Sequence, residues 1–228
     1  YKGPLVAVIG ATSPTGKYSP VLGIMVGFAL QSKTNSVIFT GGVEGVGVDV
    51  WNGVAACSFK NKVKERFFTL IPSCIFLNPE QTDFYYTGYE VEELNSIPYH
   101  LPDDYNQIGF IFDKKVQTEY AGKGMGERRV YLSNLADVAI VINGGNGTLD
   151  EALQINEAGK PIIILQNSGG AADWINLLLM GLNPWVKDKR GRFAKADFGC
   201  PKISNPNLIY TADSPEHLIT ILDEIFKK

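Results

Sequence analysis

The chain has little of what builds metal centres or disulfide frames. Its 228 residues include two histidines, His100 and His217, and three cysteines, Cys57, Cys74 and Cys200. Two histidines so far apart argue against a histidine-based metal site. The cysteines are odd in number, widely spaced and outside any Cys-x-x-Cys pattern. They read as reduced, mostly buried thiols of a cytoplasmic protein, which excludes a disulfide scaffold and a zinc ribbon. No run approaches about eighteen uninterrupted apolar residues, so no membrane span is expected. Charge of one sign is also missing. The net charge of −3 gives no general attraction to nucleic acid or to anionic membrane, so any anion site must be local. No signal-peptide pattern is present, while a start without Met leaves a trimmed leader open.

What is present is ordinary globular composition, 45% apolar and 20% charged. The length suits one substantial core, and a single domain over residues 1–228 is the expectation. Short β-rich runs alternate with longer helical patterns, which predicts an α/β protein: a Rossmann-like, doubly wound parallel sheet with helices on both faces. Strands are expected at residues 5–9, 36–40, 67–71, 108–112, 138–142, 161–165 and 208–210. Helices are expected at 19–31, from the Gly41 turn to about 58, and at 124–135, 148–158, 173–180 and 214–226. Glycine turns follow the strands at residues 5–9, 36–40 and 138–142, all at one carboxyl edge, where open α/β sheets bind ligands.

The most informative stretch is Gly144-Gly145-Asn146-Gly147-Thr148-Leu149-Asp150-Glu151, directly after the apolar run Val138 to Ile142. A buried strand running into a glycine turn that opens a helix leaves N–H groups unpaired at the positive end of the helix dipole. Glycines let the backbone come close to an anion, because no Cβ intervenes. Glu151 falls within the first turn of the expected helix, a carboxylate beside an anion site, and that pairing suggests chemistry. The same residues fit a simpler structural role, since Thr148 and Glu151 have the spacing of a capping box. Asn146-Gly147-Thr148 also matches a glycosylation acceptor, but the tripeptide lies inside the turn and nothing else points to secretion.

Two stretches break the alternation. Residues 78–107 hold Tyr85, Tyr86, Tyr89, Tyr99 and Tyr105 among acidic residues, an insertion long enough for a lid, an interface or a mobile loop. Residues 186–200 carry Lys187, Lys189, Arg190, Arg192 and Lys195; a solvated loop is the first reading and a phosphate-contacting flap the second. Several common motifs are absent. The Gly41 turn lacks the Lys-Ser/Thr ending of a P-loop, no Gly-x-Gly-x-x-Gly follows the first strand, and no nucleophile elbow surrounds Ser13 or Ser133.

Met125-Gly126-Glu127-Arg128-Arg129, then Leu135-Ala136-Asp137, then the Gly144 to Glu151 motif, resemble the "Lonely Guy" (LOG) phosphoribohydrolases, long labelled lysine decarboxylases. That family has a Met-His-x-Arg-Lys segment and a Pro-Gly-Gly-x-Gly-Thr-x-x-Glu segment. The resemblance implies that Arg128 and Glu151 are catalytic. It also implies that Gly10, Ser13, Gly41, Gly42, Gly45, Arg129, Gly144, Gly145, Asn146, Gly147 and Thr148 face a nucleotide. The implied activity is hydrolysis of the N-glycosidic bond of a nucleoside 5′-monophosphate, with an AMP-like substrate and no cofactor. It also implies a homodimer or larger assembly, with neither nucleic acid nor membrane as partner. Gly126 stands where the family has histidine, Arg129 where it has lysine, and Asn143 where it has proline. Related molybdenum-cofactor carriers and DprA-like proteins share the arginine and the glycine turn. The run from Ala158 to Pro161 and the run from Thr211 to Glu216 look at least as much like the carriers. Non-catalytic binding of a nucleotide or of molybdenum cofactor is therefore the alternative.

Overall fold

Val6, Ala7, Val8 and Ile9 are all buried in β1 (Leu5–Gly10), and this run sits at the centre of the sheet. A strand buried on both faces needs apolar residues at every position, and LVAVIG supplies them. The computed structural model describes residues 2–14, 16–42, 44–71, 74–76, 84–86, 116–121, 124–196 and 199–227. Chain order after β1 is α1 (Pro20–Lys33), β2 (Val37–Thr40), α2 (Val46–Asn61), β3 (Phe67–Ile71), β4 (Cys74–Phe76), β5 (Phe84–Tyr86) and β6 (Gln117–Tyr120). There follow α3 (Gly124–Leu135), β7 (Val138–Ile142), α4 (Asn146–Glu157), β8 (Ile162–Leu165), α5 (Gly170–Leu179), β9 (Leu182–Lys187), β10 (Phe193–Lys195), β11 (Ile209–Ala212) and α6 (Pro215–Phe226).

Seven strands form one sheet in the order β11-β8-β7-β1-β2-β3-β6, and every neighbouring pair is parallel. The chain builds outward from β1 through β2 and β3, then returns to lay β7 on the other side of β1. The expected doubly wound sheet is thus present, with its switch point between β1 and β7. Alternate side chains of each strand enter different cores. Ala7, Ile9, Phe39 and Val141 pack with Leu132 of α3, Ile155 of α4 and Ile175 of α5. Val6, Val8, Ile38 and Ile140 pack with Val26 of α1, Val50 of α2 and Leu222 of α6. Among the described residues three helices pack on each face.

Local signals account for the helix ends. Pro20 opens α1 and Pro215 opens α6, where a missing N–H costs nothing. Ser214 caps α6 by accepting from the His217 N–H at 3.2 Å. Arg66 closes the far end of α1: its Nη2 donates to the carbonyls of Gln31 and Thr34, both at 2.6 Å. Lys160 does the same for α3, donating to the Ser133 carbonyl at 2.9 Å and to that of Asn134. Cations at these ends oppose the helix dipole. Burial of the Lys160 ammonium pushes its pKa down, with Asp137 opposing.

The α1–α2 contact is closer than ordinary side chains allow. A Cβ on Gly27 would lie 2.0 Å from the Val50 carbonyl oxygen, and one on Gly53 would lie 2.0 Å from that of Ile24. Beside this crossing the Tyr18 hydroxyl donates to Asp49 at 2.7 Å. Burial, reinforced by that carboxylate, pushes the Tyr18 phenol well above its usual range.

Several expectations change. The sequence reading has no strand at Gln117–Tyr120, yet β6 pairs with β3 at one edge of the sheet. The basic stretch at 186–200 is solvated, as expected, with its lysines and arginines exposed, but much of it is a hairpin rather than a loop: β9 and β10 pair antiparallel, with Phe193 opposite Lys187. Asp188 organises its turn by accepting from the N–H groups of Arg190 at 2.8 Å and Arg192 at 3.0 Å, and it pairs with the Arg192 guanidinium. The expected strand at 108–112, and the Tyr-rich insertion at 78–107 apart from β5, lie outside the described residues. Cys57 and Cys200 are buried and free, as expected. Among the described residues no helix is long and apolar enough to cross a membrane.

Two predictions follow from these contacts. Gly27→Ala or Gly53→Ala forces α1 from α2 and costs about 1–3 kcal/mol by denaturant unfolding; an unchanged midpoint would show that the helices can part freely. Hydrogen bonds from Arg192 and Arg190 hold the Asp188 carboxyl below its ordinary 3.8. Its contribution to hairpin order is thus complete above that value and is lost as pH falls through the lower, folded value. An NMR titration of the Arg190 and Arg192 amides should show a midpoint under 3.8; one at or above it contradicts the assignment.

Candidate functional site

Gly10 at the end of β1 is the register partner of Ile142 at the end of β7. The chain leaves these two strands in opposite directions, so a crevice opens between the loops that follow. A cavity of about 350 Å³ occupies it. Its wall combines Gly10 to Ser13 from the first loop, Thr40, Gly41 and Gly47 from the second, Arg128 and Arg129 from α3, and Gly145, Gly147, Thr148 and Glu151 from α4. A Cβ on Gly10 would stand 2.5 Å from the Ile142 carbonyl oxygen, so only glycine lets the two strand ends come this close.

The turn after β7 reverses through Asn143 (φ 54°) and Gly144 (φ 104°), and α4 starts at Asn146 with Gly145 as its N-cap. The first N–H groups of this helix have no acceptor within it and look out from the end of the dipole that attracts anions. The capping-box reading fails here. α4 begins two residues earlier than the sequence suggests, no side chain caps it, and Glu151 sits in its second turn rather than its first. The carboxylate is thereby free for a different partner.

That partner is Arg128. It stands in the second turn of α3, only 3% exposed, and its Nη2 donates to Glu151 Oε1. Arg128 is thus no surface residue of its helix: the guanidinium is buried over the end of β2. A Cβ on Gly41 would come within 2.9 Å of Arg128 Nη1, so the bare backbone of Gly41 makes room for it. Arg129 lies alongside, half-buried, with Nη1 3.1 Å from Asp150 Oδ2 and Nε 3.8 Å from Glu151 Oε1. Gly147 is bare beneath it: a Cβ there would be 3.0 Å from Arg129 Nη2.

Among the described residues three donors in this group have no acceptor: Nε and Nη1 of Arg128 and Nε of Arg129. Buried donors are rarely left unpaired, and a buried guanidinium with one partner is costly. The cavity therefore lacks acceptor oxygens of the kind a phosphate or a sugar carries. Its wall carries two guanidiniums and one carboxylate, Glu151, while Asp150 pairs with Arg129 from outside the lining.

Not every residue expected at the site faces the cavity. Gly10, Ser13, Gly41, Arg128, Arg129, Gly145, Gly147, Thr148 and Glu151 line it. Gly42, Gly45 and Gly144 shape the turns instead. Cβ atoms there would meet Ile71 at 2.3 Å, the Ala11 and Thr12 carbonyls at 2.4 Å, and Thr148 at 2.5 Å, respectively. Asn146 lines a separate groove with Trp185. The sequence reading missed Thr12, Thr40 and Gly47, although all three flank glycine turns already singled out. The basic hairpin contributes nothing to the cavity wall.

The fold and the switch-point cavity define a Rossmann-like, doubly wound α/β protein. No protein-family model and no curated protein matches the chain. Its fold is shared with several solved structures. One is TM1055, a structural-genomics target, with TM-score 0.58 and 20% identity over 97% of this chain and 99% of that one. Another is the molybdenum cofactor carrier protein of Chlamydomonas reinhardtii, with TM-score 0.58 and 14% identity over 99% of each chain. A third is DNA processing protein A of Helicobacter pylori, described with a single-stranded DNA binding mode. It has TM-score 0.51 and 18% identity over 97% of this chain and 80% of that one. These likenesses place the chain in the expected fold group and say nothing finer about its activity.

The ion pair gives a thermodynamic prediction. Arg128→Ala strands a buried carboxylate and costs about 3–5 kcal/mol of unfolding free energy, whereas Arg128→Met with Glu151→Leu costs far less or nothing. Equal losses in the single and double variants would mean that the two side chains do not act as a pair.

Proposed function

We propose that the chain hydrolyses the N-glycosidic bond of a nucleoside 5′-monophosphate, releasing the base and ribose 5-phosphate. The observation that carries this reading is the Arg128–Glu151 pair, buried in one cavity beside the N-terminus of α4 with guanidinium donors still lacking acceptors. In this reading the 5′-phosphate rests on the N–H groups of Gly145, Gly147 and Thr148, with the Thr148 hydroxyl assisting. Arg129 adds a second set of donors. Breaking the bond leaves positive, oxocarbenium-like charge on the sugar, which the Glu151 carboxylate stabilises. Glu151 also positions water and takes its proton while the water oxygen bonds to the anomeric carbon; the base leaves with the bond electrons and takes a proton from solvent, and Glu151 then gives its own back to solvent. Arg128 holds Glu151 in place and binds phosphate or ribose oxygens through its free donors.

The second reading is a carrier that binds a nucleotide or molybdenum cofactor without turnover. Near full-length likeness to the carrier fold favours it, as does Gly126 in place of a histidine. Two carrier-like segments lend it less support than their sequences suggest. Lys160 closes α3 and Ser214 caps α6, both of which are structural tasks. For either reading we infer a homodimer or larger assembly. Val21 and Met25 on α1 present apolar surface that a second copy would cover.

Incubation with AMP and other nucleoside monophosphates, with chromatographic detection of base, separates the two readings. Hydrolysis predicts base release that drops on the order of a hundredfold or more in Glu151→Gln. A tightly co-purifying ligand with no base release from any monophosphate would establish the carrier instead. Unchanged activity in Glu151→Gln would remove that residue from the mechanism.

A further inference from the structure

The glycine turn is fastened from below by the loop after β8. Asn143 donates its N–H to Ser168 Oγ at 2.8 Å and its Nδ2 to the Ser168 carbonyl at 2.6 Å. Ser168 Oγ in turn donates to the Leu165 carbonyl at 2.7 Å, and Ser168 is wholly buried. The start of α5 completes the contact: the Ala171 N–H reaches the Gly144 carbonyl at 2.8 Å and the Ala172 N–H reaches that of Asn143 at 3.2 Å. Gly170 lets the segments meet, because a Cβ there would fall 2.1 Å from the Gly144 oxygen. The next carbonyl, Gly145, is taken by the Leu149 N–H within α4 at 3.0 Å.

Three successive carbonyls, at residues 143, 144 and 145, are thus each engaged by donors that do not line the cavity. An acceptor facing a phosphate would repel it as strongly as a donor attracts it. We propose that Ser168 and Asn143 are positioning residues that sort the turn: acceptors turn toward α5, and donors are left for the cavity. Asn143 suits the task because it takes the left-handed conformation and supplies a side-chain donor, neither of which proline can do. The inference rests on the α4 N-terminus being the phosphate seat of the proposed function, though not on any hydrolysis there.

Calorimetric titration of the full chain with inorganic phosphate and with AMP tests it, comparing wild type, Ser168→Ala and Asn143→Gly. The glycine variant keeps the left-handed backbone and deletes only the amide. Each change should weaken both ligands about tenfold, the scale of one misplaced charge-assisted hydrogen bond. The double variant should be little worse than either single one, because both break the same latch. For AMP turnover, KM should rise while kcat at saturation holds. Ile175→Val, in the buried underside of α5, controls for lost stability and should leave phosphate affinity unchanged. Wild-type affinity in Ser168→Ala and Asn143→Gly, an equal loss in Ile175→Val, or a wild type that binds neither ligand would each overturn the proposal. Normal phosphate binding with no base release would sink the hydrolase reading and leave the latch standing.

Discussion

A guanidinium taken out of water loses several kcal/mol of hydration that one carboxylate rarely restores. Arg128 is buried and, among the described residues, its guanidinium has one charged partner, Glu151; much of the architecture around the cavity serves to hold it there. Gly41 withholds a side chain so that the guanidinium fits over the end of β2. α3 carries Arg128, and its far end is tied down by Lys160. α4 starts at a glycine cap two residues before Thr148, which places Glu151 in the second turn, where it meets Arg128. Were any of these absent, the buried charge would swing to solvent or shed its partner.

The position of the pair follows from topology more than from any single contact. Strand order reverses between β1 and β7, and only there do two loops diverge enough to leave a crevice. Both helices that supply the pair lie on the same face of the sheet, with α5 beside them. The opposite face, where α1 and α2 meet through glycines, supplies Val8 and Gly47 to the cavity wall but none of its charged groups. The ion pair belongs to one face alone.

Much of this was legible in the residues. The apolar runs identify the central strands because strands buried on both faces admit little else, and the glycine turns mark the sheet edge that carries the cavity. β6 escaped because Gln117, Thr118, Glu119 and Tyr120 form a polar edge strand without alternation. The hairpin of β9 and β10 escaped because its exposed lysines and arginines read as a loop, and the contact that ties its strands, Lys187 Nζ 5.1 Å over the Phe193 ring, leaves no sequence pattern. The start of α4 was misread because a glycine cap has no side-chain signature. Burial of Arg128 could not be read at all. Its neighbours Glu127 and Val130 are exposed, and no helical periodicity in α3 announces a buried arginine. Its role in the sequence argument came from the resemblance of its segment to the phosphoribohydrolase motif.

The near-balance of charge around the cavity has a consequence for how any ligand is held. With two cations and one anion in the wall, and Asp150 pairing Arg129 from outside it, the site exerts little long-range pull. Capture must come from short, directed hydrogen bonds made after arrival. Ionic strength screens distant, exposed charges far more than contacts inside a closed pocket. Occupancy should therefore change little between dilute and physiological buffers, unlike binding to an open basic surface, and selectivity should follow the shape and oxygen geometry of the guest rather than its total charge.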